Sequence, residues 1–404
     1  MPTVTLAGLL GQPAVSEFLR GLVARGRYGN AYLFHGPAGV GKGTAALAFA
    51  RAALCDHVPG AVAPAAGDGP SLFGDAPPAP HDRPGDDACG ACPACAKSAS
   101  LQHPDLKFLF PVSGEEKELD TTIGETLQAM REDPLFAFQY EKAASIRISL
   151  TRELQRELAY HPYEAARRVV VIRDCDRMRE DQYSALLKSI EEPGATTVWV
   201  LTTSRLSRVP ATIRSRCQRV RFAPLAEGAI LGVLSAAGVP EKEARILAAL
   251  SGGSLARALG MRGEKPVEQR DDALAMLEPA RRGDAAGLWR ASQGATKFGR
   301  AGRESLRRSL EFHQLWLRDL LRARYGAPRE SLVNRDRENE LRARAAELDA
   351  PEVRRRLMVI EEALRAIDGN VSADLALFSA LARVAGSRVG EGAWPAHGTA
   401  RWDY

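Results

Sequence analysis

One stretch constrains this chain more than any other: Asn30 to Leu54, NAYLFHGPAGVGKGTAALAFARAAL. Its first part, Asn30 to Gly36, is apolar and aromatic and ends in glycine, so it reads as a buried strand feeding a turn. GKGTAALAFARAAL then reads as a helix. Strand, glycine-rich turn and helix in that order are the context of a phosphate-binding loop. There, backbone N–H groups and a helix N-terminus surround the phosphates, a lysine meets the outer ones, and a Ser or Thr hydroxyl holds magnesium. Gly36, Gly39, Gly41 and Lys42 supply such a loop, but the hydroxyl position holds Gly43. Thr44 comes one residue late, turned by ~100° and moved ~1.5 Å along a helix.

A second magnesium ligand is expected as an acid at the end of a neighbouring apolar strand. In VVVIRDCDRM (Val169 to Met178) that place holds Arg173, followed by Asp174 and Asp176. A cation ~4 Å from a divalent metal costs several kcal/mol even at a generous dielectric. A buried strand ending in solvated charges explains this segment almost as well. LKFLF (Leu106 to Phe110), RVVVIRD (Arg168 to Asp174) and TVWVLTT (Thr197 to Thr203) are short apolar runs between helical patterns, as buried parallel strands are. Tyr183, Leu186, Leu187 and Ile190 fall at helical spacing before EEPG stops the helix. The stretch 113–144 carries no clear pattern.

Four cysteines, Cys55, Cys89, Cys92 and Cys95, have spacings that let their sulfurs turn onto one tetrahedral ion, and structural zinc is the expectation. His103 is a conceivable substitute ligand that reads better as the start of the following strand. Cys175 and Cys217 read as small buried residues. Between Cys55 and Cys89, residues 58–87 are rich in Pro, Gly and Ala, cannot bury a core, and are expected to be a disordered insertion within a module spanning 55–95.

The 404 residues suffice for two or three domains. No window approaches ~18 consecutive apolar residues and no export signal is evident, so a cytoplasmic chain without a membrane partner is expected. A net charge of +5 permits contact with nucleic acid without establishing it. Arg205 to Arg221, RLSRVPATIRSRCQRVR, is densely basic and contains no acid; on charge pattern alone it is a solvated basic surface. After Phe222 strand signals vanish and helical patterns run to Ala385. Residues 386–404 read as a frayed tail.

Together these features resemble the clamp-loader family of AAA+ proteins. LLGQ (Leu9 to Gln12), NAYLFHGPAGVGK, the four cysteines, HPDL, VVVIRDCDRM, SALLKSIEEPG and LTTSRLSRVPATIRSRCQ carry the likeness, which weakens across the helical half. The resemblance implies an α/β fold: an AAA+ P-loop parallel sheet with an inserted four-cysteine zinc module over 1–222, a helical lid over 223–263, and an all-α collar domain over 264–385 that joins a hetero-pentameric ring. In the family, Ser215-Arg216-Cys217 presents Arg216 to ATP on the neighbouring subunit, and Thr203 takes the place of a polar strand-end sensor. Active members place an arginine where this chain has Ala256, with Arg257 one position late.

The expectation is a subunit that hydrolyses no ATP of its own, its residues Gly36, Gly39, Gly41, Lys42, Thr44, Asp174 and Thr203 being a nucleotide site that is vestigial. It would supply Arg216 in trans to gamma/tau ATPase subunits while the delta subunit opens the sliding clamp for primed DNA. Bound ATP and magnesium stay open at this point. Three rivals remain: an active gamma/tau-like ATPase, a phosphate-loop kinase of a small metabolite with a zinc lid, and a zinc-finger DNA-binding module.

Overall fold

The structure, a computed structural model, describes residues 4–58, 85–113, 118–133, 136, 138, 144–191, 196–277, 284, 286, 290, 299–368 and 371–385. The expected frayed tail, and all but residues 58 and 85–87 of the expected insertion, lie outside them. The chain divides into two compact units, Met1–Ile230 with Gly253–Gly260, and Leu231–Gly252 with Met261–Tyr404.

The first unit is built on a five-stranded sheet whose pairs are all parallel, in the order β2-β3-β4-β1-β5. The strands are β1 (Ala31–His35), β2 (Leu106–Leu109), β3 (Arg168–Ile172), β4 (Thr197–Thr203) and β5 (Gln218–Arg221). β3 and β4 are buried at every residue, as strands covered on both faces must be, and their unbroken apolar runs are the reason the sequence announces them. β5 lies at the edge and buries Val220 alone. The helices are α1 (Pro13–Arg25), α2 (Lys42–Leu54), α3 (Pro93–Ala99), α4 (Leu119–Glu132), α5 (Ile148–Leu158), α6 (Glu180–Glu191), α7 (Ala211–Arg216) and α10 (Leu255–Gly260). α4 occupies part of the stretch that carries no clear sequence pattern.

His35 pairs with Thr203, and Ile172 with Leu201, so the carboxyl ends of β1, β3 and β4 lie side by side. Ligands of open parallel sheets bind at this edge, where the strand order reverses. Around it the core is aromatic and branched: Tyr32, Phe34, Phe49, Trp199 and Phe222 are fully buried.

The second unit is helical in its described residues. It takes in most of α8 (Glu227–Ala236), then α9 (Glu241–Leu250), α11 (Pro266–Ala275), α12 (Gly299–Arg324), α13 (Glu338–Glu347), α14 (Ala350–Asp368) and α15 (Ala373–Ala385). α12, about 39 Å long at 1.5 Å per residue, packs against α13, α14 and α15. Leu306, Leu310, Leu341, Val353, Ile360, Leu377 and Leu381 form the seam and are essentially inaccessible. Beside it, Arg270, 2% exposed, makes paired hydrogen bonds to Asp336 at 2.8 and 2.7 Å and reaches Asn334 at 3.2 Å.

Candidate functional site

The phosphate loop has the backbone its glycines permit. Gly36, Gly39 and Gly41 have φ of 149°, 73° and 95°, a region L side chains avoid. The first two also lack space: a Cβ on Gly36 would stand 2.3 Å from the Phe222 carbonyl oxygen, and one on Gly39 2.1 Å from Ser254 Oγ. α2 begins at Lys42, which is 5% exposed. Its ammonium donates to the loop's own carbonyls, to Gly36 O at 2.8 Å and to Pro37 O. Burial pulls its pKa down to about 8; Asp174 opposes that shift and Arg173 adds to it. Thr44 is exposed on the first turn of α2.

The two departures expected at the magnesium site turn out to be one structural feature. A Cβ built on Gly43 would lie 2.3 Å from Nη1 of Arg173. The Arg173 guanidinium therefore fills the space beside Gly43. Its Cζ lies 3.9 Å from the centroid of the Phe138 ring, a cation–π contact, and its Nε is 3.4 Å from Asp174 Oδ2. Asp174 is held at a φ of 47°, which Asp tolerates better than most residues, and its N–H donates to Thr202 Oγ1 at 3.0 Å.

Thr203 is fully buried and donates to Asp176 Oδ1 at 2.8 Å, while Arg205 Nε donates to Asp176 Oδ2 at 2.7 Å. This network ties the end of β4 to the turn after β3. On the other side of the loop, Leu225 N–H donates to Gly253 O at 2.9 Å, and Ala256 N–H reaches Gly39 O at 3.4 Å. The start of α10 thus rests on the phosphate loop, and it does so through backbone and small side chains.

Arg216 ends α7, where a cation suits the helix dipole, and it is exposed. Glu191, the last residue of α6, meets its Nε at 2.5 Å, and its Nη1 donates to Thr212 O at 3.0 Å and Ser215 Oγ at 3.4 Å. None of these partners belongs to the phosphate loop. Arg219 and Arg221 project from β5 and are exposed; Arg214 is partly buried.

The four cysteines converge. Cys55 caps the C-terminus of α2, Cys92 caps the N-terminus of α3, Cys95 lies within α3, and Cys89 lies in the loop before it. All four are at most 7% exposed. The Sγ atoms of Cys55 and Cys92 are 3.8 Å apart and those of Cys89 and Cys95 3.9 Å. Four sulfurs at ~2.3 Å from a tetrahedral ion stand ~3.8 Å from one another, so the donor set fits a metal that takes thiolates. Backbone amides point at the sulfurs, Cys89 N–H at Cys55, Ala91 and Cys92 N–H at Cys89, and Cys95 N–H at Cys92, all within 3.4 Å. Hydrogen bonds from Cys92 and Cys95 pull the Cys55 thiol down to about 4, and the Cys95 thiol is pushed well up in exchange.

His57 joins this cluster, its ring donor atom and the sulfurs of Cys55, Cys89 and Cys92 all lying within 4.8 Å of one another. The sequence signal was the spacing C-x-H at Cys55. His103, considered instead, is buried and accepts the Asp105 N–H on Nδ1 at 3.1 Å, just before β2. Cys175 and Cys217 are buried, 0% and 7% exposed, and burial pushes both thiols up, Cys217 to about 12.

A family model described as DNA polymerase III, delta subunit matches residues 79–226. The DNA polymerase III subunit delta' of Pseudomonas aeruginosa is 30% identical over 252 residues, 62% of this chain and 60% of that one. Its counterpart in Bacillus subtilis is 28% identical over 268 residues, 66% and 64% of the two chains. The DNA polymerase III subunit tau of Bacillus subtilis is 24% identical over 259 residues, 63% of this chain and 36% of that one. The matches thus span less than two thirds of each relative's length. Among the described residues no helix is long and apolar enough to cross a membrane.

Proposed function

We propose, from the likeness to DNA polymerase III delta' subunits, that this chain is the clamp-loader subunit that holds no catalytic magnesium and lends an arginine to its neighbour. In this reading Arg216 enters the ATP site of an adjacent gamma/tau subunit and neutralises charge developing on the transferred phosphoryl group. A residue in that role is worth ~10³ to 10⁵ in rate. The delta subunit, the sliding clamp, primed DNA and a hetero-pentameric ring complete the assembly, with 223–263 acting as lid and 264–385 as collar.

The observation that carries the reading is the Arg173 guanidinium standing against Gly43. Where a hydroxyl and a carboxylate would grip magnesium, the chain has removed the side chain from one position and put a cation on the other. Lys42 spends its hydrogen bonds on the loop itself. Gly36, Gly39, Gly41, Lys42, Thr44, Asp174 and Thr203 are then the scaffold of a nucleotide site without its metal. Arg216, by contrast, is exposed at a helix end and oriented by Glu191, as a residue offered to another chain must be.

Zinc held by Cys55, Cys89, Cys92 and Cys95 completes the proposal as a structural ion with no open position. It would fasten the end of α2 to the start of α3 and supply no chemistry to ATP.

The test is ATP hydrolysis by the purified chain, then by the loader reconstituted with clamp and primed DNA. The expected result is silence alone and activity in the mixture that falls by about 10³ with Arg216→Ala. Unchanged activity in the reconstituted Arg216→Ala loader removes the trans role. Magnesium-dependent turnover by the isolated chain replaces this proposal with the gamma/tau-like ATPase.

A further inference from the structure

The cysteine cluster offers one donor more than a tetrahedral ion needs. Four sulfurs define a tetrahedron, and Cys55, Cys89 and Cys92 make up the face opposite Cys95. The ring donor of His57 is within 4.8 Å of those three sulfurs. An incoming fifth donor on one face of a tetrahedral site weakens the bond to the opposite vertex. That vertex is Cys95, the one cysteine within the body of α3 rather than at a helix cap or in a loop.

We propose that Cys95 is the exchangeable ligand of the metal centre and that His57 takes its place, so the site passes between four sulfurs and three sulfurs with one nitrogen. This rests on the reading of the cluster as a metal centre. In the exchange one metal–sulfur bond breaks and one metal–nitrogen bond forms. The imidazole enters neutral, Cys95 leaves as a thiolate that takes a proton from solvent, and no electron moves. Three sulfurs and one imidazole are an ordinary structural zinc set, so the ion stays bound throughout. The exchange frees the first turn of α3 without emptying the site, which Cys55, Cys89 and Cys92 cannot do because each belongs to the face His57 approaches.

Cobalt(II) titrated into the full metal-free chain reads this directly, since its visible bands report the number of sulfurs. Wild type is expected to give a four-sulfur spectrum at one equivalent, and Cys95→Ala a three-sulfur, one-nitrogen spectrum, also at one equivalent. Cys95→Ala/His57→Ala is expected to bind more than about 10- to 100-fold more weakly than Cys95→Ala, since loss of an outer-shell partner alone costs that much. Equal affinity of those two variants, or no nitrogen signature in Cys95→Ala, overturns the proposal. His57→Ala, which keeps all four cysteines, covers the case in which Cys95 variants fail to fold. It is expected to keep the four-sulfur spectrum and to slow cobalt transfer to a chelator several-fold, and an unchanged transfer rate overturns the exchange. If wild type binds no cobalt at all, the reading of a metal centre falls first.

Discussion

The two ends of α2 present the same problem solved in opposite ways. Its N-terminus begins the phosphate loop, and its C-terminus, about 20 Å away at 1.5 Å per residue, is capped by Cys55. Both ends carry motifs that answer to a divalent ion. At the cysteine end every donor is present, buried and spaced as an ion requires, with backbone amides turned toward the sulfurs. At the loop end the donors are replaced, and a guanidinium fills the space that Gly43 opens. Motif letters describe the two ends almost equally well. What separates them is whether the positive charge the site accommodates comes from outside the chain or from within it.

The largest effect should come from emptying the cysteine end. Removal of metal by a chelator, verified by elemental analysis, is expected to cost several kcal/mol and to lower the melting temperature by about 10 °C, at roughly 2 to 4 °C per kcal/mol for a unit of this size. Magnesium should leave the melt of the same protein unchanged. A magnesium-dependent melt, with none on zinc removal, would reverse the contrast.

Two arginines, Arg270 in the helical unit and Arg173 in the first, repeat the contrast. Arg270 is almost fully buried and has Asp336, Asp271 and Asn334 around it, whereas Arg173 has Asp174 at 3.4 Å and an aromatic ring. Arg270→Ala removes the donor that reaches the buried Asn334 oxygen, while Asp336 keeps Lys242 and Asp271 keeps Arg337, and it should cost about 1 to 3 kcal/mol in urea unfolding. Arg173→Ala should cost about 1 kcal/mol or less. Burial raises the Asp336 carboxyl, but the hydrogen bonds from Arg270 and Lys242 outweigh it and bring it to about 2. A lowered acid contributes stability above its unfolded value, near 4, and that stability is lost as the pH falls toward 2. The acid slope should flatten in Arg270→Ala.

The sequence disclosed what rests on continuous local pattern. β1, β3 and β4 are apolar runs because both faces are covered, and the four cysteines are legible because two-residue gaps have few other uses. β5 was lost inside a basic run, since an edge strand that buries only Val220 has no apolar period. α4 fully buries Leu119 and packs Ile123 and Leu127 only in part against Phe110 and Val112, so its row at i, i+4 and i+8 is short and half-buried. Gly43 and Arg173 were both visible as departures, but nothing in a chain that separates them by 130 positions says that one fills the space left by the other. Arg270 and Asp336 were invisible for the same reason. His57 had a signal two residues from Cys55, and it was passed over for His103, whose ring the fold commits to the Asp105 amide.

A designed reversal tests whether Gly43 and Arg173 are one feature. The Cβ added by Gly43→Ser meets only the far end of a flexible arginine, so the guanidinium can move aside, and the loss of a cation–π contact is offset by the better helix former. The stability change should stay within about 1 kcal/mol. Neither Gly43→Ser nor Arg173→Asp alone should make ATP binding depend on magnesium. Together they should raise affinity at least about tenfold when magnesium replaces EDTA in a calorimetric titration, because both ligand types are then present. Equal behaviour of the single and double variants would mean that the two positions act independently.

The smallest effect belongs to Lys42, which tests whether the loop end carries an unneutralised charge. Burial lowers its folded pKa to about 8, below the unfolded value near 10.4. Between those values the unfolded chain holds more protons than the fold, so unfolding free energy should rise with pH across that window, the charged ammonium being a cost below it. Wild type compared with Lys42→Met isolates this term from the other basic groups. The variant should lose the rise between pH 8 and 10 in urea melts while matching wild type in its response to zinc removal. A Lys42→Met slope identical to wild type would mean that the carbonyls of Gly36 and Pro37 already compensate the charge, and that the loop end is as complete without a metal as the cysteine end is with one.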